Sequence, residues 1–424
     1  MIPPAWWARL TPWVAGWAGF STVALAYGVF LISAAVGLRR SLTTRSAPWR
    51  QCSPGAPAFA ALGLGLVISM AWTPASAAAV ASHLWSVALL SMIPLLSRAW
   101  SRPAAQQALS LFVAAAALVA LAHAASTLVD VPRSSLWQRA LDAEGNQRIA
   151  GSLLMALASV LALDQALRPA TGEAPPRTAV WVRWAWALAA AACALGVAVQ
   201  DRRSGMLLWP VLLLVFGLSR LHRPGQRFAL LLAVLIVCAL GWTLADGVRA
   251  RFAEGAAELR APLDPSTVAS SWGQRRAMVE GTLLMIGQAP WAGHGVGSWT
   301  HWWQRAMPAG SALAANTTPH SEYLLAAAQL GIGGALLLTA GFAAELRAAW
   351  RAGAAGRPAL LVWTLLAVAS LFNAMIRDAK FAVPLLLLAA LAASVRLGAA
   401  GAERGDRPGP RLGPRPDAHP GPPR

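Results

Sequence analysis

Long apolar runs dominate this chain, and their length restricts its fold more than any other feature. Eleven of them lie at about 15–37, 57–73, 80–97, 105–129, 149–167, 180–200, 204–219, 228–246, 321–343, 358–376 and 381–399. A run of about 17–25 apolar residues makes a helix long enough to cross a hydrocarbon core of about 30 Å. Run 204–219 is short for a full crossing. The expectation is an all-α, polytopic integral membrane protein of about 11–12 transmembrane helices with one large periplasmic loop. Composition agrees: 57% hydrophobic, 12% charged and a mean hydropathy of +0.52 exclude a soluble globular chain.

The first run follows Arg9 and precedes Arg39 and Arg40 without a small-residue cleavage site, so it reads as a retained helix. Cys52, Cys193 and Cys238 offer neither a disulfide framework nor metal-ligand spacing. Of 35 basic residues only Lys380 is lysine, which with the abundant alanine suggests GC-rich bacterial coding.

A net charge of +18 would suit a nucleic-acid partner, but its distribution argues for topology instead. With the 247–320 loop outside, the opposite-side segments carry 21 basic and 6 acidic residues, and the remainder carries 14 and 11. Short loops rich in arginine stay cytoplasmic. The 247–320 loop therefore faces the periplasm or exterior, and no nucleic acid is implied.

A single transmembrane domain is expected over 1–400, with the large loop at about 247–320 and a disordered cytoplasmic tail at 401–424 rich in Pro, Gly and Arg. Shorter loops lie at 38–56 and 130–148, and residues 277–287 read as a loop helix ended by Pro290. Many of the 21 tryptophans stand near span ends, as an interfacial belt would. Trp291, Trp299, Trp302 and Trp303 in the large loop either pack it down or offer flat faces to sugar rings.

The residues able to do chemistry gather on the same side. Asp201-Arg202-Arg203-Ser204-Gly205 joins two apolar runs there. Arginine at the outer boundary runs against the usual bias. It is either paired with Asp201 and snorkelling, or a fixed cation for a lipid pyrophosphate head. Gln274-Arg275-Arg276 opens the loop helix. Glu280 stands four residues past Arg276 and accounts for it as a helical ion pair, whereas Arg275 has no such partner in sequence. A guanidinium binds phosphate oxygens in pairs and stays charged at any relevant pH.

His320, after Pro319, begins the ninth run, and its imidazole suits a general base taking a proton from a hydroxyl. A structural histidine is the alternative. His294 and His301 are further candidates in the loop, and Glu322 is placed to orient a neighbour. Asp378 and Lys380 form either a local ion pair or another wall of the site. The glycines at 293, 295 and 297 follow no strand, so a nucleotide loop is rejected in favour of a tight turn that allows close backbone approach.

Taken in order, these elements resemble the O-antigen ligase and O-antigen polymerase superfamily. They are Arg203-Ser204-Gly205 opening a span, Arg275 ahead of Pro290, the turn from Pro290 to Gly297, and His320-Ser321-Glu322-Tyr323-Leu324 leading to Leu330-Gly331-Ile332-Gly333-Gly334. The chain departs from that pattern at Ser321, where the family usually has Asn, and at Val279, where an aromatic is common. The resemblance implies a glycosyltransferase without cofactor, metal or nucleotide sugar. It would move a glycan from undecaprenyl pyrophosphate to an acceptor on the periplasmic side: lipid A–core for a ligase, a lipid-linked repeat for a polymerase, or a protein hydroxyl. Carried over residue by residue, it makes His320 and Arg275 catalytic, and Arg203, Arg275 and Arg276 the pyrophosphate site. Arg202, His294 and Glu322 are secondary candidates, and ligation to lipid A–core comes first. The rival class is a lipid-linked-sugar flippase or transporter, which would carry ionisable groups near the midplane. Here the spans are nearly free of them, Asp164 and His123 lying near span ends.

Overall fold

The computed structural model describes residues 5–43, 52–129, 148–168, 176–200, 202–244, 246–260, 271–308 and 311–405. The expectations placed on the 130–148 loop and on the tail therefore fall largely outside the described residues. Among the described residues every element is helical.

The helices follow in order. First come α1 (Ala5–Trp17), α2 (Val23–Thr43), α3 (Ala56–Ile68), α4 (Ala77–Ser91), α5 (Ile93–Arg98) and α6 (Arg102–Ser126). Next are α7 (Arg148–Ala166), α8 (Pro176–Val199), α9 (Arg203–Arg220), α10 (Pro224–Leu244) and α11 (Asp246–Arg260). The chain closes with α12 (Ser271–Gln288), α13 (Ser298–Ala306), α14 (Glu322–Arg351), α15 (Gly353–Ala369) and α16 (Ala379–Gly405).

Among the described residues, eight stretches of helix are long and apolar enough to cross a membrane. Three shorter apolar stretches at Ala56–Ala71, Pro224–Ile236 and Gly353–Ala369 account for the remaining runs read from the sequence. The protein is thus an all-α, polytopic membrane protein. One correction concerns its start. Run 15–37 is not one helix: α1 ends at Trp17, a 3-10 turn covers Ala18–Phe20, and α2 begins at Val23. Gly16 lies so close to α6 that an added Cβ would sit 2.6 Å from the Leu111 Cβ, which turns α1 back against that helix.

The centre is built from α7 and α16, whose Leu, Ala and Val side chains are buried almost throughout. By contrast, α8 leaves Trp181, Trp184 and Leu188 exposed, the apolar outer face that hydrocarbon would cover. Small residues let the helices approach, as expected where lipid offers no hydrophobic drive of its own. Gly205 is one: a Cβ there would meet the Ser152 Cβ at 2.7 Å, so the glycine seats α9 against α7 and fixes where Arg203 stands. Phe59, Phe342 and Trp363 pack ring against ring with centroids 5.9–6.0 Å apart, joining α3, α14 and α15.

Run 321–343 conceals a break. In α14 the backbone leaves helical geometry at Leu330 (φ −124°, ψ 15°) and Gly331 (φ 67°, ψ −168°). A break frees carbonyls and amides that lipid cannot satisfy. The glycine turn satisfies them: the His294 and Gly295 amides donate to the Ala328 and Gln329 carbonyls at 2.9 and 3.0 Å, and the Ile332 amide donates to the Pro290 carbonyl at 2.8 Å. The Gly297 amide donates to Oε1 of Gln329 at 2.7 Å. Gly293, Gly295 and Gly297 all have φ between 64° and 88°, a backbone that side chains with a Cβ resist. Ser69 and Thr73 tie the same turn to α3 through Val296 at 2.9 and 2.6 Å.

Candidate functional site

Three segments bring the charged residues to one end of the bundle: the start of α9, the loop helix α12, and the turn between α15 and α16 that faces His320. Arg203 begins α9. Its Nη2 donates to Glu254 Oε2 at 3.0 Å, and its guanidinium lies over the Trp272 ring at 5.6 Å. Arg275, one turn into α12, reaches Asn373 Oδ1 at 3.5 Å. Burial holds the Arg275 guanidinium below its ordinary pKa, and the charge of Arg203 lowers it further. The charge of Arg203 thus reaches Arg275, which lacks a carboxylate of its own among these contacts, an arrangement suited to an anion carrying more than one charge.

His320 occupies a left-handed backbone position, φ 52°, just before the helix start that Ser321 caps by accepting from the Leu324 amide at 3.4 Å. That conformation is uncommon for a side chain with a Cβ and marks a constrained point. The imidazole lines a cavity of about 500 Å3 shared with Tyr27, Trp85, Asn373, Arg377 and Asp378. Burial pulls its pKa down to about 4, with Arg275 adding to the shift, Asp378 opposing it and Lys380 adding a little more. The ring is therefore neutral at pH 7, with a nitrogen lone pair ready for a proton.

The turn between α15 and α16 supplies residues that the sequence does not single out. Asn373 and Arg377 both line the cavity, and Asn373 Nδ2 and Arg377 Nε are buried without a protein partner among the described residues. Burial lowers the pKa of Arg377, while the carboxylates of Glu322 and Asp378 act the other way. Asp378 and Lys380 form the local ion pair, at 3.1 Å, and both also line the cavity. The one sequence signal for this segment is a short polar run between two apolar spans.

Arg203 and Arg275 are not among the residues lining the cavity, and the remaining candidates also stand apart from its wall. Arg276 turns to Glu280 at 2.8 Å, the helical pair read from the sequence. Arg202 is exposed at the start of α9. His294 bonds through Nε2 to the Met285 carbonyl at 2.8 Å and packs on Trp302, so it fastens the glycine turn to α12. Glu322 is buried, and its Oε1 accepts from the amides of Ile376 and Arg377 at 2.6 and 2.8 Å. It thereby holds the Asn373–Asp378 turn in place. Of the loop tryptophans, Trp299 and Trp303 stack at 5.1 Å inside the loop and spend their indole N–H groups on Thr282 and on the Leu313 carbonyl. Trp291 is 82% exposed.

Residues 188–339 match the family model described as O-antigen ligase. Over that stretch the chain is similar to the O-antigen ligase family. The match holds Arg203, Arg275, the glycine turn, His320 and the break in α14, while the Asn373–Lys380 segment lies beyond it. No curated protein matches the chain. Proteins of that family are glycosyltransferase-like enzymes that use a lipid-linked glycan donor and a glycan acceptor in general.

Proposed function

We propose that the protein transfers a glycan from undecaprenyl pyrophosphate to an acceptor hydroxyl at the periplasmic face of the bacterial inner membrane, and that the acceptor is lipid A–core. The observation that carries this is the neutral His320 imidazole in the wall of a cavity of about 500 Å3, with Arg275 reaching the Asn373 of that wall and its charge acting on the imidazole. That volume is within the usual range for a small-molecule site, and Trp85 and Tyr27 give it aromatic faces suited to sugar rings. The net positive charge of the opposite-side segments supports the periplasmic placement.

His320 takes the proton of the acceptor hydroxyl as its oxygen bonds to the anomeric carbon. The bond from that carbon to the pyrophosphate oxygen breaks, and its electron pair leaves with undecaprenyl pyrophosphate. Arg203 and Arg275 hold the negative charge that gathers there, and fixed cations at such a point are the usual large contribution to rate. A single displacement inverts the anomeric centre. A donor with two phosphate charges next to Arg275 also raises the basicity of His320, because one cause of its lowered pKa is then offset.

The test is the lipopolysaccharide profile of a deletion strain complemented with wild type or with His320→Ala. Wild type alone should restore long-chain polysaccharide on an intact core. Full rescue by a normally inserted His320→Ala protein removes the base from this scheme. An unchanged ladder with altered glycoproteins transfers the reading to a protein acceptor, and caps of a single repeat transfer it to a polymerase.

A further inference from the structure

At the end of the bundle opposite His320, one carboxylate faces three guanidiniums. Asp164 is buried near the end of α7. Its Oδ2 takes Arg168 Nη2 at 2.8 Å, and its Oδ1 takes Arg357 Nη1 at 2.9 Å, with Arg220 Nη1 at 3.6 Å. The cluster joins the ends of α7 and α9 to the start of α15. One carboxylate neutralises one cation, which leaves two positive charges unmatched among these four side chains.

Buried or half-buried charge without a counter-ion is costly at a membrane boundary, so an excess of this kind calls for an anion. The three arginines grade outward, with side-chain exposures of 14% at Arg357, 25% at Arg220 and 37% at Arg168. They make a funnel whose floor is Arg357. Arg357 Nε is buried there and has no partner among the described residues, an unused donor where nearly every buried donor is satisfied. Arg220 also donates to the Leu167 carbonyl, and Arg183 to the Arg168 carbonyl at 3.3 Å, which holds the guanidiniums in place.

We propose that Arg168, Arg220 and Arg357 form a binding site for a phosphate-bearing anion, supplied by the headgroup of an anionic phospholipid. Guanidiniums match phosphate oxygens in geometry as well as charge, and basic pockets between transmembrane helices are where such headgroups lodge. The phosphate would take the outward faces of Arg168 and Arg220, while Asp164 keeps the inner nitrogens fixed. The site is independent of glycan transfer and stands whether or not that reaction is the one assigned above.

The test uses the full chain purified in detergent, with phosphatidylglycerol, phosphatidylcholine or inorganic phosphate added, read by native mass spectrometry and by the shift in thermal unfolding. Phosphatidylglycerol should be retained and should raise the unfolding temperature, whereas phosphatidylcholine should do neither. Arg168→Gln and Arg220→Gln should each weaken retention about fivefold, the effect of one basic residue at a lipid surface. Arg347→Gln, an exposed cation outside the cluster, should leave it unchanged. Stabilisation by inorganic phosphate alone, lost in the same variants, supports the anion chemistry and overturns the lipid as its source. Equal retention of both lipids by the wild-type protein overturns the proposal without any variant having to fold.

Discussion

Replacing Arg275 by glutamine tests the site at the point where charge and proton transfer meet. The substitution keeps a polar amide on a shorter side chain but removes a largely buried cation that feels the charge of Arg203 and acts on His320. Removing one preorganised donor from developing negative charge costs about 3–4 kcal/mol, or roughly 100- to 1,000-fold in kcat. A second effect follows from the histidine. Burial and then Arg275 lower its pKa to about 4, so in the free enzyme the base stays unprotonated until the pH falls well below neutrality. Activity that needs neutral imidazole is therefore present above that value and is lost as pH falls through it. Without Arg275 one of the two leading causes is gone, and the acid limb of kcat/KM should move up toward 6.5, the ordinary value for imidazole. The assay is release of undecaprenyl pyrophosphate by nanodisc-embedded protein from about pH 3 to 8, a range that brackets the wild-type value of about 4, at saturating and at low donor. A variant within twofold of wild type at every pH, or one slowed uniformly with its acid limb unmoved, refutes the coupling of Arg275 to His320.

Three further substitutions separate holding from reacting. Gly331→Ala puts a Cβ 2.5 Å from the Pro290 carbonyl oxygen at a backbone position open essentially to glycine alone. It should lower stability by about 1–3 kcal/mol from the backbone alone, measured as loss of thermal stability in detergent. Glu322→Gln keeps an oxygen for the Ile376 and Arg377 amides and should retain activity. Glu322→Ala strands both amides at about 1–3 kcal/mol each and should lose stability and transfer together, and the reverse pattern would make the carboxylate itself a reacting group. Arg276→Ala removes the helical pair with Glu280, worth about 0.3–0.5 kcal/mol, and transfer should stay within about twofold.

The membrane class was readable because span length and charge bias act locally, one run at a time. The break at Leu330 and Gly331 was not, since the groups that satisfy it come from Pro290, His294 and Gly295, and the run itself stays apolar. The division of the first run at Ala18–Phe20 escaped for a like reason: it depends on how closely Gly16 meets α6. Arg203 and Arg275 stand out in sequence by charge on the unexpected side of an apolar chain, and His320 by an imidazole at the start of a span. Asn373 and Arg377 did not, because their meaning lies in facing His320 across a cavity whose walls are far apart in sequence. Glu322 stands out in sequence as a residue placed to orient a neighbour, but which neighbour is not legible there, because its partners are two backbone amides.

The stitching of α14 to the glycine turn bears on biogenesis. The turn is synthesised before the helix it completes, so its amides have no partner until Ala328 and Gln329 emerge. Until that docking, α14 is a helix with a gap that lipid does not fill, and the bilayer is a poor resting place for it. Defects at Gly293 or Gly295 are therefore expected to surface first as protein that quality-control proteases remove, with the surviving fraction carrying normal turnover per molecule.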